Sequence, residues 1–379
     1  MAVPRGRLLG GCSAINDTFV TRGTKADYDR IADMGNPGWS WKEMLPFFKA
    51  SETFHSTEWH QADLDIHGTD GPLHISMTPL APISEKILES FIDSGFDYKP
   101  DMFVQGDYEG VGHIGRTVYN GICTTSADFI HKYERTNLTV RTDVFVDRII
   151  LEKNNEKECP YKAVGVEAHD DTNGQPIIIK ARKEIILSAG QILTLCICMS
   201  TLFIDGLPYN PINGEGVFTV NTFLCGPQAR GTVRLLSKDP TSKPIIDHAY
   251  LDNDLDVAVL AEGCRLCHEI IMNGRGTKDI IVGAWPKIIS HPNDMIGWKE
   301  HVRTFASSGS HPAGTCKMAP ESDPMGVVDS RLRVRNVKGL RVADISILPI
   351  LNNGHPQILA YAIGEKVASM ILQDVDVSK

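Results

Sequence analysis

SSGSHPAGTCKM (residues 307–318), VVDSRLRVRNVKGLRVADISILP (327–349) and LNNGHPQILAYAIGEK (351–366) follow one another near the C-terminal end of this 379-residue chain. In the middle string, two β-branched runs flank the turn-like Asn336 to Gly339, which predicts strand, turn and a strand ending at Asp344. A loop holding Pro349, Asn352, Asn353 and Gly354 comes next, then a helical stretch from near Gly364. His311 and His355, 44 positions apart, bracket the unit. A carboxylate behind a strand, a His on the next loop and a nearby helix N-terminus suit an anionic cofactor beside an acid/base pair. Single histidines also fill hydrogen-bonding niches, so composition leaves both readings open.

HPAGTCKM (311–318), the string from Gly326 to Pro349 and GHPQILAYAIGEKVASMIL (354–372) together resemble the end of a glucose–methanol–choline (GMC) oxidoreductase. Members of that family are FAD-dependent alcohol oxidases and dehydrogenases. They carry one His in an H-x-x-G-T-C motif and a second His, or an Asn, ahead of the last helix. The resemblance implies His311 as the main acid/base and His355 as its partner, orienting the substrate oxygen. It implies Asp344 and Gln357 as cofactor contacts.

The N-terminal PRGRLLGGCSAIN (4–16) places two adjacent glycines before small and polar residues. Glycines let a backbone approach a ligand, and a helix opening there turns free N–H groups toward phosphate. The string runs on through Glu52 and is similar to the family's first signature, which implies Gly10, Gly11, Ser13 and Asn16 as contacts to the flavin and its pyrophosphate. Cys12 replaces a small residue of that signature, and Asp17 stands where Gly is common. Tyr28 to Glu52 reads as two helical pieces around the turn Gly35 to Gly38, with Trp39 and Trp41 as packing residues. HGTDGPLHI (67–75) is a turn entering a strand, Ile83 to Asp97 has one apolar helical face, and TTSADFIHKY (124–133) resembles a family helix.

NLTVRTDVFVDRIILE (137–152), KAVGVEAHD (162–170) and PIIIKARKEIILSAG (176–190) form a strand-rich set ending in small residues, where doubly wound sheets accept a nucleotide. The resemblance implies Val146 and Ala189 beside the adenosine half of FAD. Residues 140–200 and 318–379 are expected to form one α/β domain with residues 1–30 threaded through it. The apolar run from Ile185 to Ile204 is broken by polar residues and reads as a buried strand followed by a helix, not a membrane span.

Hydrophobic content of 42% and charged content of 22% fit a globular enzyme, and net charge −9 argues against nucleic acid and anionic membrane surfaces. Nine cysteines show no disulfide framework; Cys264 and Cys267 form a CxxC within helical periodicity without a second pair for zinc. No metal is expected. MAVPRGRLLGG lacks the apolar core of a signal peptide, giving a cytoplasmic default. A serine hydrolase lacks its GxSxG elbow here.

The expected class is α/β with an α+β part: an incomplete, FAD-binding doubly wound domain and an antiparallel-sheet substrate domain. The expected regions are 1–205 and 227–373. Resemblance fails at LTLCICMSTLFIDGLPYNP (193–211) and resumes at RGTVRLLSKDP, from Arg230. The family's opening strand–GxGxxG–helix unit is not found; the sequence starts just downstream of where it ends. Strand 1 of that unit is central in a doubly wound sheet, and its helix faces the pyrophosphate. The reading is an FAD-dependent oxidoreductase acting on an alcohol donor. The alternative is a truncated, non-catalytic remnant that binds FAD weakly or not at all.

Overall fold

The structure, a computed structural model, describes residues 5–60, 62–131, 136–190, 197–199, 216–239, 242–284 and 293–377. After a 3-10 turn at Gly11–Ala14, β1 (Phe19–Val20) leads into α1 (Lys25–Asp33) and α2 (Trp41–Ser51). Each helix starts at a capping box, Thr24 with Asp27 and Ser40 with Glu43, which satisfies main-chain N–H groups that a first turn leaves free. Then come β2 (Glu52–His55), β3 (Leu73–Met77), α3 (Pro82–Asp93), the single turn α4 (Met102–Gln105) and β4 (Gly115–Arg116). These strands form one sheet in the order β1-β4-β3-β2. The short hairpin β5 (Val118–Tyr119) and β6 (Ile122–Cys123) precedes α5 (Asp128–His131).

The glycines at 110, 112 and 115 do have GxGxxG spacing, which sequence reading passed over. They lie between α4 and β4, with no strand before and no helix after, so they are not a dinucleotide fingerprint. A Cβ on Gly112 would sit 2.2 Å from the Lys99 carbonyl oxygen, so close chain approach explains that glycine.

β7 (Val144–Lys153), β8 (Tyr161–Asp170) and β9 (Pro176–Lys180) make an antiparallel meander. Within the strand-rich string 137–152, residues 137–143 form no strand. β10 (Ile185–Leu187) is followed by β11 (Ile197–Met199), so residues 197–199 of the expected helix are strand, and 191–196 and 200–204 lie outside the described residues. The main chain of β11 is claimed on both sides by β12 (Thr222–Leu224) and β15 (Ala306–Ser308), a tertiary pairing that local pattern does not encode. In between come β13 (Thr232–Arg234), β14 (Ile245–Asp247), α6 (Asp254–Asn273) and α7 (Met295–Phe305). The chain ends with β16 (Val337–Lys338), β17 (Leu340–Val342) and α8 (Gln357–Val377). α8 begins at Gln357 and not near Gly364, because Pro356 suits a helix start and the apolar pattern runs unbroken from Ile358.

Two parallel pairings bring distant segments together: β10 with β17, and β16 with β8. Arg341 on β17 is nearly buried and pairs with Glu184 ahead of β10 and Asp374 on α8, tying three segments by charge. The larger core contains Val20, Tyr28, Trp39, Met44, Phe48, Leu73, Val342 and Ile358, with Leu187 packed against it. Full burial of such side chains is worth about 1.5–3 kcal/mol each. The first helices, the end of β10 and the last helix therefore share one core, while β7–β9 lie outside it. A second, smaller core, around Val257, Leu260, Trp298 and Val302, joins α6 to α7. Among the described residues no helix is long and apolar enough to cross a membrane, and no cluster could hold a metal ion.

Candidate active site

The two cores meet at a pair of histidines. β15 is the last strand of the smaller lobe, and the turn after it delivers His311. Ser308 Oγ accepts hydrogen bonds from Tyr250 Oη at 2.6 Å and from the Ser310 N–H at 3.1 Å. Ser310 takes φ 58°, an unusual left-handed conformation for a residue with a Cβ, and swings the chain toward the larger lobe. His355 arrives from the other side, on the loop before α8. Thr21 Oγ1 accepts from the His355 N–H at 2.7 Å and donates to its carbonyl oxygen at 3.2 Å.

His355 Nδ1 and His311 Nε2 lie 3.1 Å apart, with the ring planes at 81°. Burial and the neighbouring His355 and Arg5 push the His311 pKa down to about 3. Burial also lowers that of His355, partly offset by Asp17. Standing just ahead of a helix N-terminus works against a positive charge there as well. Both shifts favour the neutral rings, and a hydrogen bond at this distance needs a proton on one of the two facing nitrogens, the tautomer deciding which. Phe19 and Phe223 pack at 5.2 and 5.6 Å from the His355 ring, giving it apolar walls.

The other expected site residues divide into groups. Gly10 (φ 96°) and Gly11 (φ 52°) form the 3-10 turn, and a Cβ on Gly11 would meet nothing within 4 Å. Ser13 Oγ donates to the Gly10 carbonyl at 2.6 Å and accepts from the Ser126 N–H at 2.9 Å. Asn16 uses its side-chain oxygen locally, on the Thr18 N–H at 3.0 Å. Across the β10–β17 strand ends, Ser188 donates to the Ala343 carbonyl and Asp344 accepts from the Gly190 N–H at 3.0 Å, which brings Ala189 beside Asp344. Asp344 also caps the following turn through the Ser346 N–H at 2.8 Å. Val146 is half exposed on β7.

Gln357 sits on the first turn of α8 with both amide atoms buried and unpartnered. One turn on, Tyr361 Oη lies near Ser13 and Gln357 without a well-directed bond to either. His311 Nδ1 is likewise buried and unpaired. Such orphaned polar atoms are rare in folded proteins and mark capacity for a ligand. Together with the open backbone at Gly11 and the free N–H groups of the α8 first turn, they fit a polar, anionic dinucleotide such as FAD.

Sequence reading missed the residues that hold these loops. Thr21 and Asp27 lie within a string taken as a signature and carry no motif of their own. Models of the N- and C-terminal parts of the GMC oxidoreductases match residues 1–200 and 227–364. The chain belongs to the GMC oxidoreductase family. A GMC-type oxidoreductase of Mycobacterium tuberculosis is 28% identical over 97% of this chain and 85% of its own length. An oxygen-dependent choline dehydrogenase of Photobacterium profundum is 27% identical over 99% of this chain and 81% of its own. The first alignment runs over 465 positions against 379 residues here, so that relative carries segments with no counterpart in this chain. A formate oxidase structure from Aspergillus oryzae superimposes with TM-score 0.85 at 22% identity, covering 98% of this chain and 84% of that one. At that identity the match shows the shared α/β fold of FAD-binding oxidoreductases.

Proposed function

We propose that this GMC oxidoreductase binds FAD and oxidises the CH–OH group of a small alcohol, with His311 and His355 as a joint acid/base. The observation that carries the reading is the convergence of two half-buried imidazole nitrogens at 3.1 Å, with the unpaired amide of Gln357 two residues past His355. A hydroxyl oxygen within hydrogen-bond reach of both nitrogens would complete a near-equilateral triangle with them. We assign the shared proton to His355 Nδ1, which donates to that oxygen and holds it in place. His311 Nε2 then presents a lone pair and takes the hydroxyl proton. Its depressed pKa keeps it in the base form at neutral pH.

A bound flavin would supply the acceptor for the hydride lost from the carbinol carbon. Gly10, Gly11, Ser13, Asn16, Val146, Ala189, Asp344 and Gln357 would hold it, with Phe19 and Phe223 excluding water from the histidine pair. In this reading residues 1–205 and 227–373 are the two functional regions, and each brings one side of the site. The choline dehydrogenase relative acts, by its name, on an alcohol, which supports that substrate class. The test is to saturate the purified protein with FAD, add a series of primary alcohols and follow reduction of a dye. Alcohol-dependent reduction that disappears in His311→Ala supports the reading. A protein that takes up no flavin would favour a non-catalytic member of the family.

A further inference from the structure

The loop that carries His355 is gripped at two points from one short segment of the larger lobe. Thr21, buried to 2% exposure, bonds both the N–H and the carbonyl of His355 through one hydroxyl. Six residues on, Asp27 accepts from the Asn353 main-chain N–H at 2.9 Å and from the Asn353 side-chain amide at 2.8 Å. The same carboxylate takes the Thr24 N–H at 2.7 Å, so it caps α1 and ties the loop at once. Asn353 and His355 are therefore both fixed, on either side of Gly354. The fit is tight there: a Cβ on Gly354 would stand 2.6 Å from Thr21 Oγ1.

The segment doing the gripping is itself immobilised. Arg22 is fully buried and bonds Glu52 at 3.0 Å and the Ile66 carbonyl at 2.8 Å. Tyr28 Oη donates to the Arg22 carbonyl, and the Gly23 N–H donates to Tyr108 Oη at 2.9 Å. An acid/base pair works only when its atoms stay within hydrogen-bond reach of the proton they exchange, and displacement by about 1 Å costs on the order of a hundredfold in rate.

We propose that Thr21 and Asp27 are positioning residues: a two-point clasp that sets where the His355 ring stands relative to His311. The inference rests on the acid/base reading of the pair, but its geometric half is testable without turnover. Thr21→Val keeps the side-chain volume and removes both hydroxyl bonds; Thr21→Ser keeps them. Asp27→Asn removes one acceptor oxygen and sets an amide N–H against the N–H groups of Thr24 or Asn353.

The experiment uses the full chain in two arms. In the first, histidine-selective ¹⁵N labelling without cofactor reports the ring proton shared by His311 and His355. The signal should be present in the parent protein and in Thr21→Ser, and shifted or lost in Thr21→Val and Asp27→Asn, while circular dichroism shows each variant folded. In the second arm, with FAD and alcohol, kcat should fall roughly ten- to a hundredfold in Thr21→Val with KM little changed, and recover in Thr21→Ser. A folded Thr21→Val with an unaltered shared-proton signal overturns the clasp, as does loss of activity only in proportion to unfolded protein. If the parent shows no alcohol oxidation, the functional reading fails while the first arm still decides the clasp.

Discussion

The larger lobe and the smaller lobe each deliver one histidine, but they hold it differently. His355 is fixed by main-chain bonds to Thr21, backed by a core with Trp39, Tyr28 and Phe48 fully buried. His311 hangs from the end of β15, in a lobe whose core is built around Val257, Leu260, Trp298 and Val302. The turn at Ser308 to Ser310 and the Arg5 bond to the Ser310 carbonyl shape its approach, and Ala313, two residues on, is buried in the larger core. One half of the pair is thus the fixed reference, and the other is carried to it. The comparison predicts that loss of buried charge in the larger lobe's core acts through stability, whereas loss of the His311 ring acts through rate.

The sharpest break of that division is His311→Ala. A positioned general base contributes about 10²–10⁴-fold, so dye reduction by an alcohol should fall by that factor while the melting profile changes little. A large loss of stability with the rate per folded molecule preserved would contradict the assignment.

Next in size is a test of the larger lobe's buried charge. Glu52 is fully buried, accepts from Arg22 and His67, and keeps its pKa below the ordinary value because those partners outweigh its desolvation. Glu52→Gln leaves the Arg22 guanidinium buried without its counter-charge, a change that costs about 3–5 kcal/mol. In the smaller lobe, Asp256 accepts the N–H groups of Gln228 and Ala229 at 2.8 and 3.0 Å, each bond worth about 1.5–3 kcal/mol. Urea denaturation should therefore show Glu52→Gln losing more stability than Gln228→Pro, which removes one of those two N–H donors from Asp256. The reverse order would mean that the smaller lobe is the better anchored one.

Much of this organisation was legible in the strings, and the remainder was not for identifiable reasons. His311, His355, Asp344 and the Gly10–Gly11 turn stand in local motifs, and strand and helix patterns placed α1, α2, α3 and β17 within a few residues. The Ile197–Met199 strand was misread because both of its partners lie far along the chain. Thr21 and Asp27 escaped notice because their work is done across 334 and 326 positions, on a loop whose Asn353 and Gly354 look like ordinary turn residues. His67 was read as part of a plain turn, yet it is buried between Glu52 and Asp101. Local pattern reports what a residue prefers, and these roles depend on what it meets.

A third prediction uses acidity. His311 has an ordinary pKa of 6.5 and a folded value of about 3, since burial and its neighbours oppose the imidazolium. The unfolded chain binds this proton as pH falls through 6.5, while the folded chain does so only near 3. Stability tied to the neutral ring is fully present above 6.5 and is lost across that window, at up to ~1.4 kcal/mol per pH unit. Replacing His311 with Gln should flatten the measured stability between pH 6 and 4 (roughly the middle of that window) relative to the parent. An unchanged slope would show that His311 is more open to water than its place between the lobes implies.

The smallest effect is expected at Tyr250, and it asks whether the approach of His311 is as lightly held as the comparison states. Tyr250 Oη donates to Ser308 Oγ at 2.6 Å, and Ser308 Oγ in turn accepts the Ser310 N–H. Tyr250→Phe removes the neutral hydrogen bond to Ser308, worth about 0.5–1.5 kcal/mol, and leaves the Ser308–Ser310 bond able to form. The ring itself stays stacked on His248, with centroids 4.8 Å apart, so the variant should fold normally. Turnover should drop by less than about tenfold, the factor that 1.4 kcal/mol represents. Side-by-side kinetics with Thr21→Val decide the matter. A larger fall in Tyr250→Phe than in Thr21→Val would make the β15 turn, and not the Thr21 segment, the feature that sets the geometry of the histidine pair.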